Sequence, residues 1–176
     1  LPVAVPPKVE VESIPVVNEV QPNRDEIVRV LTGKRILVVE DSNDNILLIQ
    51  AFLKKFDLTL DLAENGKVGF ERFKSVRYDL VLMDCQMPEL DGLEATRQIR
   101  ELEQQGELEG HLPIVALTAN AIKGDRERCL EAGMDDYISK PVQRAQLRKL
   151  LDQYHARKAS HQHSISAKTE TLVSSD

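Results

Sequence analysis

The chain has 176 residues, of which 41% are hydrophobic, and its formal net charge is -6. This length and hydrophobic fraction allow one ordinary folded domain with additional segments. The negative charge gives no general attraction to nucleic acid, and no apolar run reaches the roughly 18 residues that would span a bilayer. We therefore expect no nucleic-acid partner and no direct membrane contact by this chain.

The two ends of the sequence are predicted to lie outside the folded part. Residues 1–32 mix valine with scattered prolines and have no helical period, which predicts a largely extended linker, with a short helix over 23–31 as the alternative. Residues 155–176 are polar, which predicts a disordered tail, with metal binding by its histidines as the alternative. The first residue is Leu1 and no secretory signal pattern follows it, which favours a fragment of a longer, cytoplasmic protein.

Between these segments, strand patterns alternate with helix patterns. Three continuous apolar runs predict strands buried on both faces, at 35–40, 79–84 and 113–118. Residues 58–63 alternate leucine with polar side chains, which predicts a strand at an edge of the sheet, and 136–140 is a short fifth strand. The two cysteines, Cys85 and Cys129, lack metal-ligand spacing and are predicted to be reduced thiols rather than a disulfide.

Each strand is followed by a helix pattern. Four helices show apolar stripes, formed by Ile46, Ile49, Leu53 and Phe56; by Phe70 and Phe73; by Leu93, Thr96, Ile99 and Leu102; and by Leu147, Leu150, Leu151 and Tyr154. The fourth helix is predicted at about 121–132 and ends at Gly133. Five strand–helix repeats predict an α/β domain with a doubly wound parallel sheet, and the order 2-1-3-4-5 fits best, although periodicity alone is compatible with other orders.

Polar side chains stand where four of the predicted strands end. They are Glu40 and Asp41, Asp84, Thr118, and Lys140. The carboxyl ends of parallel strands meet at one edge of the sheet, so three carboxylates are expected close together, where they repel one another. A hard divalent cation such as Mg²⁺ removes this conflict and can also hold a phosphoryl oxygen. The pattern therefore predicts a Mg²⁺ and phosphoryl site to which Lys140 adds positive charge and Thr118 a hydroxyl.

Asp84 is the predicted nucleophile of this site. No serine or cysteine has a histidine base in view, and an ionised carboxylate needs no base to attack phosphorus. Taken singly, each residue also has a structural explanation, since Asp41 or Thr118 could cap a helix and Asp84 or Lys140 could be an ordinary surface group. Their joint placement at four strand ends favours the phosphoryl site.

Four ordered motifs make residues 33–154 resemble the receiver domain of two-component response regulators. They are KRILVVEDSNDN, VLMDCQMPELDG, VALTANA and GMDDYISKP. The resemblance implies a flavodoxin-like fold in which Asp84 is the phosphoacceptor. It also implies that Asp41 binds Mg²⁺ directly, that Glu40 acts mostly through water, and that the main-chain carbonyl of Gln86 completes the protein ligands.

Further roles follow from the same resemblance. Thr118 would hydrogen-bond the phosphoryl group, Lys140 would pair with it, and Tyr137 would change rotamer with Thr118, plain packing on an edge strand being the alternative. Gln86 and Asn120 occupy positions that tune the phosphoryl lifetime. Many relatives have Asp-Asp followed by Asn where this chain has Glu40, Asp41 and Ser42, so we expect an effect on metal affinity.

The stretches DCQMPELDGLEATRQIRELEQQ and HLPIVALTANAIKGDRERCLEAGMDDYISKPV most resemble the receiver fused behind a sensor histidine kinase. The linker rich in proline and valine, and the lack of an output-domain pattern after residue 154, fit such a fusion. That setting implies that the phosphoryl group arrives from the histidine of a kinase core in the same polypeptide. This chain contains no kinase histidine motif and no glycine-rich ATP lid, so it is not expected to be the kinase itself. The phosphoryl group would leave to a histidine phosphotransfer protein or domain that contacts the first helix near Asn45 and Leu48, while phosphorylation biases the surface at 119–144.

Three alternatives remain at this point. A stand-alone response regulator would act through protein contacts. A phosphatase of the haloacid-dehalogenase type would need its nucleophile at the first strand with a second acid two residues on, whereas Ser42 and Asn43 follow Asp41 here. A degenerate receiver would signal without phosphorylation, which the presence of all the key residues disfavours.

Overall fold

The computed structural model describes residues 32–108, 110–119 and 123–154 of the chain. Strands and helices alternate along these ranges. In chain order they are β1 (Lys34–Val39), α1 (Asn43–Leu53), β2 (Leu58–Ala63), α2 (Gly66–Ser75), β3 (Leu80–Asp84), α3 (Gly92–Gln104), β4 (Ile114–Thr118), α4 (Lys123–Glu131), β5 (Asp136–Ser139) and α5 (144–154). None of the helices described here combines the length and the apolar character that a membrane crossing requires.

The five strands form one parallel sheet in the order β2-β1-β3-β4-β5, which confirms the predicted fold. Two apolar clusters cover its faces. Side chains of α1 and α5 pack on one face, and side chains of α2, α3 and α4 pack on the other. Every residue of β3 and β4 is buried, as the continuous apolar runs predicted, because both strands lie inside the sheet and are covered on both sides.

Strand β2 lies at an edge, as its alternating sequence predicted, and Ala63 is its one fully buried residue. Several predicted strand boundaries were wrong by one residue, because a strand ends where its backbone pairing ends, and the side-chain pattern does not mark that position. Helix α1 ends at Leu53, where Phe56 N–H donates to the Leu53 carbonyl at 2.9 Å and turns the chain. Phe56 therefore lies beyond the helix, although it still packs on the core.

Three earlier predictions concern parts of the chain that lie outside the described residues. They are the linker, except for Thr32, the polar tail at 155–176, and Asn120. The fourth helix was predicted from about residue 121, and its described part begins at Lys123.

Helix α3 begins directly against the end of β3. A Cβ atom on Gly92 would lie 2.0 Å from the backbone oxygen of Asp84 and 2.9 Å from the side chain of Met83. Asp91 caps the helix, since its carboxylate accepts a hydrogen bond from Glu94 N–H at 2.8 Å. The absence of a side chain at Gly92 thus lets the helix pack on the backbone that carries Asp84.

At the amino ends of β4 and β5, opposite the predicted site, Arg100 of α3 forms a network of hydrogen bonds. Its guanidinium donates to Glu103 at 2.7 Å, to Asp135 at 2.9 Å, and to the backbone carbonyls of Leu112 and Gly133. Both carboxylates also accept backbone N–H groups, from Leu112 to Glu103 at 2.7 Å and from Ile114 to Asp135 at 2.8 Å. This network joins α3 to the starts of β4 and β5.

We expect the substitution Gly92→Ala to lower the free energy of unfolding by about 1–3 kcal/mol, because the new methyl group would overlap the Asp84 carbonyl. Urea denaturation of both proteins would measure the difference. Gly124→Ala is the matched control, since no atom lies within 4 Å of the methyl group there, and its effect should stay within about 1 kcal/mol. Equal effects at both positions would contradict the packing argument.

Candidate functional site

Three carboxylates converge at the carboxyl ends of β1 and β3. Asp84 is the last residue of β3, and Glu40 and Asp41 follow β1, whose Val39 is paired with Met83 in the sheet. Ligand oxygens of these three acids all lie within 4.8 Å of one another. Glu40 and Asp84 are 0% and 2% exposed, whereas Asp41 is exposed to solvent. The arrangement predicted from the strand ends is therefore present, with two of its acids buried.

Lys140 places its ammonium group between the two buried carboxylates. Its Nζ lies 2.7 Å from Asp84 Oδ2, 2.9 Å from Glu40 Oε2 and 3.1 Å from Glu40 Oε1. The lysine directly follows β5, and its backbone N–H donates to the Thr118 carbonyl at 2.7 Å. The sheet thus fixes the start of the side chain, which crosses from β5 to the acids.

Polar groups from the loops hold the remaining oxygens. Glu40 Oε1 accepts from the Asn45 side-chain amide at 2.9 Å and from Ser42 N–H at 3.3 Å. Asp84 Oδ1 accepts from Gln86 N–H at 3.0 Å. These bonds fix both carboxylates and direct one oxygen of each acid toward the loops.

The other two oxygens contact only Lys140. Glu40 Oε2 and Asp84 Oδ2 are buried 2.9 Å and 2.7 Å from its ammonium nitrogen, and no other group of the described residues donates a hydrogen bond to either oxygen. A carboxylate oxygen has two lone-pair positions, so both retain the capacity to accept a water or to bind a metal ion. Oxygen donors of this kind, beside the exposed Asp41, fit a hard divalent cation.

The charges of the site are unevenly compensated. Burial raises the pKa of Asp84 above its ordinary value, the hydrogen bonds from Lys140 and Gln86 oppose that rise, and the charge of Glu40 adds to it. For Lys140, burial lowers the pKa, but the two carboxylates outweigh burial and leave the pKa raised. One ammonium group therefore serves two buried acids and leaves negative charge that a further cation would offset.

Thr118 and Tyr137 lie on neighbouring strands beside this cluster. Thr118 is 4% exposed at the end of β4, and Tyr137 of β5 is paired with Ala116. Because Ala116 and Thr118 are two residues apart on one strand, Tyr137 and Thr118 share a face of the sheet. The Tyr137 ring packs against the core and lies 5.6 Å from the Arg126 guanidinium. This packing was the alternative to a rotamer switch, and the two roles are compatible.

Sequence reasoning missed two residues that build the site. Asn45 was assigned to partner contact, but its side-chain amide orients Glu40. Gly92 was not singled out, although it lets α3 reach the Asp84 backbone. Asn45 is the last residue of the motif KRILVVEDSNDN. Its position about one helical turn after Glu40 and Asp41 was the only feature of the sequence that could have indicated the contact. Gln86 is exposed, and its backbone N–H contacts Asp84 as described.

The two cysteines lie side by side next to the site. Cys85 and Cys129 are buried free thiols whose sulfur atoms are 3.3 Å apart. Burial, and then the neighbouring Cys129 thiol, raise the pKa of Cys85. Their separation of 44 positions in the chain gave no signal of this contact.

The family model of the response regulator receiver domain matches residues 36–152. The chain therefore belongs to the response regulator receiver domain family. The match covers the doubly wound sheet and the strand ends at which the acids, Thr118 and Lys140 lie.

Relatives of this chain include large signalling proteins. The chain is 46% identical over 115 residues to hybrid signal transduction histidine kinase I of Dictyostelium discoideum, a match that covers 62% of the chain and 6% of that protein. It is 39% identical over 142 residues to histidine kinase 5 of Arabidopsis thaliana, covering 68% of the chain and 15% of that protein. The chain thus spans a small part of the length of these relatives.

Two solved receiver domains are also similar. One belongs to a sensor histidine kinase of Pseudomonas aeruginosa PAO1 and holds a magnesium ion in its active site cleft; it is 43% identical, with a TM-score of 0.62, and covers 71% of this chain and 99% of its own. The other is the receiver domain of Saccharomyces cerevisiae Ssk1, crystallised with the histidine phosphotransfer signaling protein Ypd1. It is 32% identical, with a TM-score of 0.68, and covers 73% of this chain and 93% of its own.

We expect Asp84→Asn to raise the free energy of unfolding when divalent cations are removed by a chelator, because it removes a buried acid beside Glu40. The pKa of Asp84 is higher in the folded protein than the ordinary 3.8, so the native protein loses stability as pH rises from that value through the raised pKa. The advantage of the variant should therefore grow with pH over this window and disappear below it. Urea denaturation at a series of pH values measures it.

Asp91→Asn is the matched control, because it removes one negative charge from the same loop, is exposed, and keeps an oxygen that can cap α3. Its stability should follow that of the unmodified protein across the pH series. A stability gain of the same size and pH dependence in the control would contradict the assignment to Asp84.

Proposed function

We propose that this domain accepts a phosphoryl group on Asp84 with the help of Mg²⁺. The observation that carries the proposal is the buried Asp84 carboxylate, held at the end of β3 by Gln86 N–H and paired with Lys140 at 2.7 Å. Its Oδ2 contacts only the Lys140 ammonium and keeps a lone pair with which it can attack phosphorus. Membership of the receiver domain family supports the same role.

The metal ligands that we propose are Asp41 and Asp84 directly, with the main-chain carbonyl of Gln86. Glu40 acts mostly through water, because Oε1 already accepts hydrogen bonds from Asn45, Ser42 and Lys140, and Oε2 contacts Lys140. A bound Mg²⁺ would neutralise developing charge on the phosphoryl oxygens. The magnesium ion in the Pseudomonas receiver, 43% identical to this chain, supports this assignment.

The transfer step uses the groups of the chain as follows. An oxygen of Asp84 attacks the phosphorus of a phosphohistidine donor. The bond from phosphorus to the histidine nitrogen breaks, and the nitrogen keeps the electron pair. The Lys140 ammonium, already beside Asp84 Oδ2, would pair with the added phosphoryl charge, and the Thr118 hydroxyl would hydrogen-bond one of its oxygens. We further propose that Tyr137 responds to the movement of Thr118 and that Gln86 and Asn120 tune the lifetime of the product.

We propose that the donor is a kinase histidine in the same polypeptide and that the acceptor is a histidine phosphotransfer protein or domain. The similarity to hybrid histidine kinases of Dictyostelium supports the first part, and the complex of the yeast receiver with Ypd1 supports the second. Helix α1 offers the contact surface beside Asp84. Leu47 is 62% exposed there, while Leu48 packs on the core, so Leu47 is the better candidate for an apolar contact.

Incubation with acetyl phosphate and Mg²⁺ tests the phosphoacceptor role. We expect the chain to gain the mass of one phosphoryl group, which should be lost at alkaline pH because an acyl phosphate is base-labile. Asp84→Asn should abolish the gain, whereas Asp91→Asn should retain it, since Asp91 caps α3 and lies outside the acid cluster. Persistence of the gain in Asp84→Asn, or turnover of many phosphoesters without it, would refute the proposal.

Titration with Mg²⁺ tests the metal ligands. We expect binding to raise the thermal unfolding midpoint, because a ligand that binds the folded state stabilises it. Asp41→Asn should weaken the affinity at least about tenfold, because even the loss of an outer-shell partner of a metal site typically costs that much and Asp41 is a proposed direct ligand. Asp44→Asn is the control, since Asp44 is an exposed acid in the first turn of α1 outside the cluster. Equal weakening in both variants would indicate a general charge effect instead.

A further inference from the structure

The proposed phosphoryl chemistry does not use the thiols of Cys85 and Cys129. Cys85 directly follows Asp84 at the end of β3, and Cys129 lies in α4. They are 9% and 3% exposed, and their sulfur atoms are 3.3 Å apart. A disulfide has an S–S distance of about 2.05 Å, so an approach of roughly 1.3 Å would bring the sulfurs to bonding distance.

Both cysteines line a cleft of about 420 Å³ at the surface of the domain. Its lining includes both cysteines together with Gln86, Met87, Asp125 and Arg128. Gln86 and Arg128 are exposed at the surface. The pair of largely buried cysteines therefore borders a cleft that is large enough for a small, water-soluble reagent.

We propose that Cys85 and Cys129 form an oxidation site at which a small hydroperoxide produces an intramolecular disulfide. One thiol sulfur attacks the peroxide oxygen, the O–O bond breaks, and an alcohol, or water for hydrogen peroxide, leaves with the thiol proton. The second sulfur then attacks the sulfenic sulfur, and hydroxide leaves as water with the second thiol proton. Two thiols and one hydroperoxide thus give one disulfide, one alcohol and one water.

The disulfide would tie α4 to the end of β3. Cys85 is fixed in the sheet, since its backbone N–H donates to the Leu117 carbonyl at 3.0 Å. Cys129 is fixed at the end of α4, where its carbonyl accepts from Met134 N–H at 3.0 Å. The disulfide would form with Cys85 and Cys129 near their present positions and would keep α4 at its present distance from the end of β3. Resting on the proposed function, we infer that oxidation opposes the proposed movement of Thr118 and the change that phosphorylation is expected to cause in the surface at 119–144, which includes α4.

Mass spectrometry of the chain treated with hydrogen peroxide tests the oxidation site. We expect the loss of two hydrogen masses, a peptide that links Cys85 to Cys129 in a nonreducing digest, and reversal by dithiothreitol. Cys129→Ala should show no such loss. Retention of both free thiols, addition of oxygen at the cysteines in place of the link, or a link between two copies of the chain would overturn the proposal.

Phosphorylation by acetyl phosphate tests the effect of the disulfide. The oxidised chain should gain the phosphoryl group at least about fivefold more slowly than the reduced chain, because the disulfide should make the arrangement that phosphorylation favours less populated by the lower end of typical coupling. Cys129→Ala should react at one rate before and after peroxide. Equal rates for the oxidised and reduced chain would overturn the inferred restraint on α4. Failure of the reduced chain to gain the group would refute the proposed function, while the linked peptide would still decide the oxidation site.

Discussion

The arrangement of this domain depends on one ammonium group shared between two buried carboxylates. Lys140 contacts Glu40 and Asp84 within 3.1 Å, and both acids are almost completely removed from solvent. Two buried acids with one lysine are costly to keep ionised, since burial disfavours the charged form. The packing of the core maintains this arrangement, because the three groups lie at the ends of three strands, β1, β3 and β5. Neither the pairing of β1 with β3 nor that of β4 with β5 can shift in register without exposing apolar side chains.

The surrounding elements hold the acids in place by different means. Backbone pairing of β3 with β4 fixes the position of Asp84 along the strand. Helix α3 packs on the Asp84 backbone at Gly92, and the side-chain amide of Asn45 orients Glu40. Each of these contacts fixes a position, but none of them neutralises charge. Rigid support combined with incomplete charge compensation is what suits the site to an incoming cation and a phosphoryl group.

Much of this could be predicted from the sequence, because the informative features are local. Continuous apolar runs indicate buried strands, and a polar residue at the end of each run is visible as such, which is why Asp84 and Lys140 were found. Contacts between distant segments leave no comparable pattern. The approach of Cys85 to Cys129, and the clearance that requires glycine at position 92, arise from packing between elements and became evident only in the structure.

Two ion clusters lie at opposite ends of the strands, one around Arg100 at their amino ends and one around Lys140 at their carboxyl ends. Each has one lysine or arginine and two acids, but the acids differ in burial: Glu103 and Asp135 keep 11% and 19% of their side chains exposed, whereas Glu40 and Asp84 keep 0% and 2%. At the Arg100 cluster the acids also contact His111, while Glu40 Oε2 and Asp84 Oδ2 contact only Lys140 among the described residues. A count of charges would not distinguish the two clusters, whereas burial and the number of donors separate the cluster that joins α3 to the strands from the cluster that suits a further cation.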